Sequence, residues 1–391
     1  MNENSKNSKS SLLSLNLFFL ALLLKPFYIL PSGSFQLSDF FIVLAFFSTI
    51  KSGKVQLNSD DKWLYVFIGC ISVINTIYSV IYQEFAFIRS IAFFLFSAII
   101  VIIVRNNISF SFYKKLSSVA KATIIIQLII YFLHIGRWLG AYRYMGTYND
   151  PNQFAFGIFS SYLVLYCVDK RNKEKTLYLF FIISVYLIYK SDSMGMLLGM
   201  LILFIADIYT IITNRMKSKG FDVPLLTPVL MVGFGAIVIL IIGQSIADKY
   251  SGTELFQRFT YKLNKEDGVI DSFIRDRHLT IFFENLSTVL YGSGEGLMMR
   301  FSGTSDNREL HSTWIALLFY YGIIPFSFLL KWVTINIKRA SRNIIPAAVA
   351  LIIEAITLVN HRQPVFWILF LLFYYSSEDF EISSEGEKKY V

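Results

Sequence analysis

Three arginines and a histidine stand where long apolar stretches of this sequence begin or break. Arg143 precedes "GTYNDPNQFA", in which Asn149, Asp150 and Asn152 surround Pro151 at the head of an apolar run. Asp150 followed by proline reads as a helix N-cap with proline in the first turn, and Asn149 and Asn152 can serve the same free N–H groups. That leaves Arg143 unexplained. An arginine at the edge of an apolar segment is costly unless it reaches water or pairs with an anion. A helix start just beyond it favours negative charge, so the pair has the chemistry of a phosphate seat. A second stretch, "DSFIRDRHLTIFFENLSTVLYGSGEG", carries Arg275 and Arg277 ahead of Gly292 and Gly294. Its glycines are no nucleotide fingerprint, since no strand precedes them. A third, "HSTWIALLFYYGIIP", opens on His311. The dipole at a helix start disfavours imidazolium, so His311 is expected to be neutral and able to accept a proton. Taken singly, each residue is also explained by a solvated or interfacial position. No metal-ligand spacing and no Walker loop are present, so neither a metal nor a cofactor is expected.

The elements that must position these groups are membrane helices. Of 391 residues, 55% are hydrophobic and 16% charged, where a soluble domain carries about a quarter charged. The apolar residues come in blocks of about 20 rather than in stripes, which is the signal of a membrane span. The expectation is a single all-α, polytopic membrane domain over residues 1–391. Its twelve candidate spans lie near 11–31, 35–50, 63–82, 87–104, 116–135, 151–168, 176–190, 193–213, 224–246, 311–330, 344–359 and 364–377. Residues 247–310 form a large loop between the ninth and tenth spans. Within it an amphipathic helix near 272–289 is expected, with Phe273, Leu279, Phe283, Leu286 and Leu290 on one face and Asp271 or Ser272 as its cap. Cys70 and Cys167 fall inside apolar runs and read as small hydrophobes.

Lysine and arginine set the orientation. With the N-terminus in the cytoplasm, nineteen of them fall in the N-terminus and the short inner loops. Five (Arg89, Arg137, Arg143, Lys190 and Arg362) fall in the short outer ones. The net charge of +9 is therefore a topology signal and calls for no nucleic acid. Both termini are placed in the cytoplasm. Arg143–Asn152, the long loop and all four histidines (His134, His278, His311, His361) are placed on the outer face.

In order and placement, the stretches around Arg143, "SDSMGMLLG", "SFIRDRHL…YGSGEG" and "HSTWIALLFYYGIIP" resemble the O-antigen polymerase and O-antigen ligase superfamily over roughly residues 135–330. The resemblance implies a GT-C-like membrane glycosyltransferase in the bacterial inner membrane. Such an enzyme transfers glycans en bloc from undecaprenyl diphosphate, needs no metal, and works beside flippase and chain-length regulator proteins. It implies that Arg143, Arg275 and Arg277 hold the diphosphate, with Arg275 the better match to the loop arginine. It implies His311 as the catalytic base, with Arg275 beside it. Asn149, Asp150, Asn152, Gly292 and Gly294 are supporting residues. The sequence departs from the pattern at Ser312, where asparagine is common, and at Met194, where arginine is common. A polymerase of lipid-linked repeat units is the leading expectation. A ligase moving finished polymer is the alternative, and a flippase or exporter is disfavoured because the spans are mainly apolar and show no repeated halves.

Overall fold

The computed structural model describes residues 3–30, 36–52, 55–140, 142–170, 176–218, 274–275, 277–302 and 309–377. The expected span at 224–246, Asp271–Phe273 and most of the 247–310 loop lie outside the described residues.

The protein is a helical membrane protein. Four of its described helices are long and apolar enough to cross a membrane: the segment Ser59–Tyr82, Phe85–Asn107, Phe110–Phe132 and Met194–Lys217. At 1.5 Å per residue, 23 or 24 residues reach about 35 Å, against roughly 30 Å of hydrocarbon. In chain order the helices are α1 (Glu3–Leu24), α2 (Leu37–Lys51), α3 (Lys62–Tyr82), α4 (Phe85–Asn107), α5 (Phe110–Phe132), α6 (Pro151–Asp169), α7 (Leu177–Ser191) and α8 (Met194–Lys217). Three short turns follow, α9 (Thr280–Glu284), α10 (Thr288–Tyr291) and α11 (Met299–Ser302). Then come α12 (Thr313–Tyr321), α13 (Ile323–Lys338), α14 (Ile345–Thr357) and α15 (Pro364–Tyr375). Several expected spans are shorter than a bilayer is thick: α14 has 13 residues and α15 has 12.

Apolar periodicity explains the layering. Helices α6 and α15 are apolar all round and buried nearly along their whole length, so they form the centre and pack on each other. The helices around them bury one face and leave large apolar side chains outward, among them Val73, Val80, Phe40, Phe47 and Ile182. Outward apolar surface of this extent is stable facing lipid, where no water penalises it.

Three features differ from the sequence reading. A small antiparallel ribbon, β1 (Arg137–Leu139) with β2 (Arg143–Gly146), lies between α5 and α6 and is the one sheet among the described residues. Gly140 at φ +62° supplies its turn. The continuous helix expected near 272–289 is instead a turn at Arg277–Leu279 followed by α9 and α10, with Asn285–Ser287 between them. Asn285 and Thr288 turn their side chains onto local carbonyls, Asn285 Nδ2 onto Ile281 O and Thr288 Oγ1 onto Asn285 O, which competes with helix continuation. The expected span at 311–330 is two helices, broken at Gly322, whose φ is +74°.

That break organises the end of the bundle where the candidate residues lie. The last turn of α12 leaves carbonyls without intrahelical donors. Ser293 N–H donates to Phe319 O at 3.1 Å and Gly294 N–H to Tyr320 O at 2.7 Å. Residues 292–295 are thus stitched onto the broken helix. They are clamped from the other side by Tyr78 Oη on Gly292 O and Ser90 Oγ on Glu295 O, each at 2.9 Å. The opposite end is held by a second polar cluster. Arg105 bonds Asp61 through two nitrogens at 2.8 Å, Trp332 Nε1 donates to the same carboxylate at 2.8 Å, and Arg339 pairs with Asp60 at 2.9 Å.

Candidate functional site

The ribbon and α6 build the first wall of the site. Asp150 accepts the N–H groups of Asn152 and Gln153 at 2.8 and 3.2 Å, so it is the N-cap that its sequence suggests, worth about 1 kcal/mol to the helix. Arg143, at the start of β2 and half-buried, donates through Nη2 to Asn152 Oδ1 at 3.0 Å and through Nε to Ser191 O at 3.1 Å. It therefore ties the start of α6 to the end of α7. Asn149 Nδ2 donates to Leu30 O at 3.1 Å, while its Oδ1 accepts from Arg137 Nη1 at 2.5 Å. Tyr28 joins the same corner: its N–H donates to Thr147 O at 3.1 Å, and its hydroxyl accepts from Gln363 Nε2 at 3.2 Å.

Arg277 and His311 form the second wall. His311 N–H donates to Arg277 O at 3.1 Å, and the His311 and His278 rings lie 5.4 Å apart. The His311 side chain is exposed, yet neighbouring protein displaces part of its water. That desolvation lowers its pKa; Glu309 and Asp150 pull it up, Arg277 pushes it down, and the net shift is downward. His311 is thus neutral near pH 7 and lies within electrostatic reach of the N-cap of α6. Ser312, where the resemblance expects asparagine, receives the N–H of Ile315 as N-cap of α12. Arg275 is exposed on the neighbouring short segment. Of the two loop arginines, Arg277 is the one bonded to the His311 backbone.

Gly292 and Gly294, expected as supporting residues, join the loop to the helix break. Their N–H groups are engaged inside the protein, Gly292 with Thr288 O at 2.7 Å and Gly294 with Tyr320 O. Gly292 has φ +78°, and a Cβ there would stand 2.7 Å from Tyr320 O. These glycines let the loop meet the helix break and offer no amide to a phosphate. Gly195, in the "SDSMG" stretch, likewise marks a close approach, because a Cβ there would strike the side chain of Thr357.

A buried charge cluster that the sequence reading did not single out lies directly behind this wall. Glu295, 3% exposed, accepts from Tyr321 Oη at 2.6 Å and from Arg362 Nε and Nη2 at 2.9 and 2.5 Å. Asn75 Oδ1 accepts the Glu295 N–H at 2.9 Å. Burial alone would raise the Glu295 pKa, but the Arg362 charge, neighbouring His361 and the Tyr321 hydrogen bond together outweigh it and hold the carboxyl well below its ordinary range. Arg362 Nη1 turns the other way, 3.2 and 2.9 Å from the two oxygens of Glu309. His361 closes the back, stacked on Phe94 at 5.5 Å with 8° between planes. Its Nε2 lies 3.6 Å from Glu295 Oε1. Glu295 is 67 residues from Arg362 and 26 from Tyr321, so no local pattern could pair them; a carboxylate within a glycine turn reads as surface.

No family model matches the chain, and no curated protein matches it in sequence.

Proposed function

We propose that this protein is a membrane glycosyltransferase that polymerises oligosaccharide repeat units carried on undecaprenyl diphosphate into a surface polysaccharide, by en bloc transfer at the outer face of the bacterial inner membrane. One observation carries the reading. Arg143 with Asn152 and Asp150, Arg277 with His278, and His311 with Glu309 come from three separated stretches and lie at one end of an apolar bundle, with Asp150 and Arg277 within electrostatic reach of His311. A glycan donor linked through C1 to a lipid diphosphate needs that combination. As the sugar–oxygen bond breaks, negative charge builds on the departing diphosphate, and fixed arginines stabilise it. A neutral imidazole takes the proton of the attacking sugar hydroxyl, a contribution of about 10²–10⁴-fold. The apolar surround suits a lipid carrier. Arg277 is assigned the loop role in preference to Arg275.

The test is a chromosomal deletion complemented by variants and scored for polymer length. Deletion should abolish long chains and leave single repeat units attached to the acceptor. Arg143→Lys should fail like Arg143→Ala, because lysine offers a point charge in place of a planar fork. Long polymer at normal yield in the deletion strain would reject the function. Long polymer in Arg143→Ala, with the protein at normal membrane level, would return Arg143 to a purely structural tie between α6 and α7.

A further inference from the structure

The cluster behind the site is asymmetric. Arg362 lies between two carboxylates of unlike kind. Glu295, with 3% of its side chain exposed, is fixed by Tyr321 and takes the Nε–Nη2 edge of the guanidinium. Glu309, with 42% of its side chain exposed, meets Nη1 with both oxygens. A buried carboxylate held by a hydroxyl and a guanidinium cannot leave without stranding a charge in the protein. A half-exposed one can turn into water at little cost. The guanidinium is thus anchored from behind, with Phe93 5.8 Å from its Cζ. Its remaining nitrogen, Nη1, faces Glu309, two residues from His311.

We propose that Arg362 is a further phosphate-binding residue of this site, set in place by Glu295, and that Glu309 occupies the anion's position until a phosphate displaces it. The inference rests on the diphosphate reading above. The Glu309 oxygens lie 2.9 and 3.2 Å from Nη1, where a phosphate oxygen would accept a charge-assisted hydrogen bond from the same nitrogen. Anion binding then exchanges one carboxylate for a more highly charged ligand. Glu295 holds the guanidinium by its Nε–Nη2 edge and keeps Nη1 aimed throughout, which makes it a positioning residue.

Purified full-length protein in detergent micelles, titrated with inorganic pyrophosphate by calorimetry at pH 7.5, tests this. Glu309→Gln removes the competing charge while leaving the Arg362–Glu295–Tyr321 contacts in place, and should tighten binding several-fold. Arg362→Lys should weaken it about tenfold or more, the usual worth of a charge-assisted fork. Unchanged or weaker binding in Glu309→Gln, or no binding by any form, would overturn the proposal. If Arg362→Lys does not fold, the Glu309→Gln titration decides alone. The polymer-length assay is independent: normal polymer in the deletion strain with the expected pyrophosphate shifts would remove the glycosyltransferase reading and leave the Arg362 seat standing. Loss of polymer with pyrophosphate binding indifferent to Glu309 would do the reverse.

Discussion

At the scale of single residues, His311 is the group whose chemistry is most exposed to measurement. Its pKa is lowered from the ordinary 6.5, first by loss of water and further by Arg277, against the pull of Glu309 and Asp150. A base acts in its unprotonated form. Polymerisation should therefore hold level from neutrality down past pH 6.5, then fall only as pH drops through the lowered pKa. A His311→Gln enzyme should be slower by about 10²-fold or more and should lack that acid limb. A rate profile in membrane vesicles between pH 5 and pH 8 reads both effects, and an acid limb in His311→Gln like that of the unaltered protein would assign the titration to another group. The Asp150 N-cap was legible in the sequence because an aspartate followed by proline at the mouth of an apolar run has a defined local role; Arg143 and His311 were picked out by their place at the edge of apolar runs. Arg362, Glu295 and Tyr321 were not. Their meaning lies in pairings across the bundle, and each alone is an ordinary loop or helix residue.

At the scale of elements, the break between α12 and α13 positions the site. "YYGIIP" was read as the middle of one span because its apolar content is continuous. The discriminating signal is backbone conformation, since a glycine at φ +74° ends a helix that side-chain hydropathy would continue. Gly322 also admits the loop, because a Cβ would lie 2.9 Å from Gly292 N and 3.0 Å from Leu290 O. Gly322→Ala meets both obstacles at once, a positive φ and a backbone contact. It should cost about 1–3 kcal/mol and lower the unfolding temperature of the purified protein. Because the loop carries Glu295, it should also displace Arg362 and weaken pyrophosphate binding, even where the protein still reaches the membrane. A Gly322→Ala protein with unchanged melting and unchanged binding would show that the loop does not need this close approach. The ribbon at 137–146 escaped for a related reason: three or four residues per strand, with the turn set by Gly140, give too short an alternation to stand out among aromatic residues.

At the scale of the whole molecule, the two ends of the bundle divide the charged residues by role. One end gathers Lys and Arg at the start of α3 and at the ends of α4, α6, α8 and α13. Several of these are paired in place, Arg105 with Asp61, Lys170 with Asp207 and Arg339 with Asp60. The other end holds the candidate site, where Arg137 and Arg143 turn toward backbone carbonyls and asparagine amides and Arg362 toward the two glutamates. Lys and Arg excess marks the side of a membrane protein that stays in the cytoplasm, and so the division of charge predicts an orientation that labelling can test. Glu84, exposed between α3 and α4 at the site end, and Lys338, exposed at the last turn of α13 at the basic end, report on it directly. In a background with Cys70 and Cys167 replaced by alanine, Glu84→Cys should react with a membrane-impermeant maleimide in intact cells. Lys338→Cys should react only after the membrane is opened. The opposite pattern would place the arginines and His311 in the cytoplasm, on the wrong side for a glycan donor presented outside, and would remove the polymerase reading whatever the site residues bind. Equal labelling of both positions would remove the assumption that these two ends face different compartments.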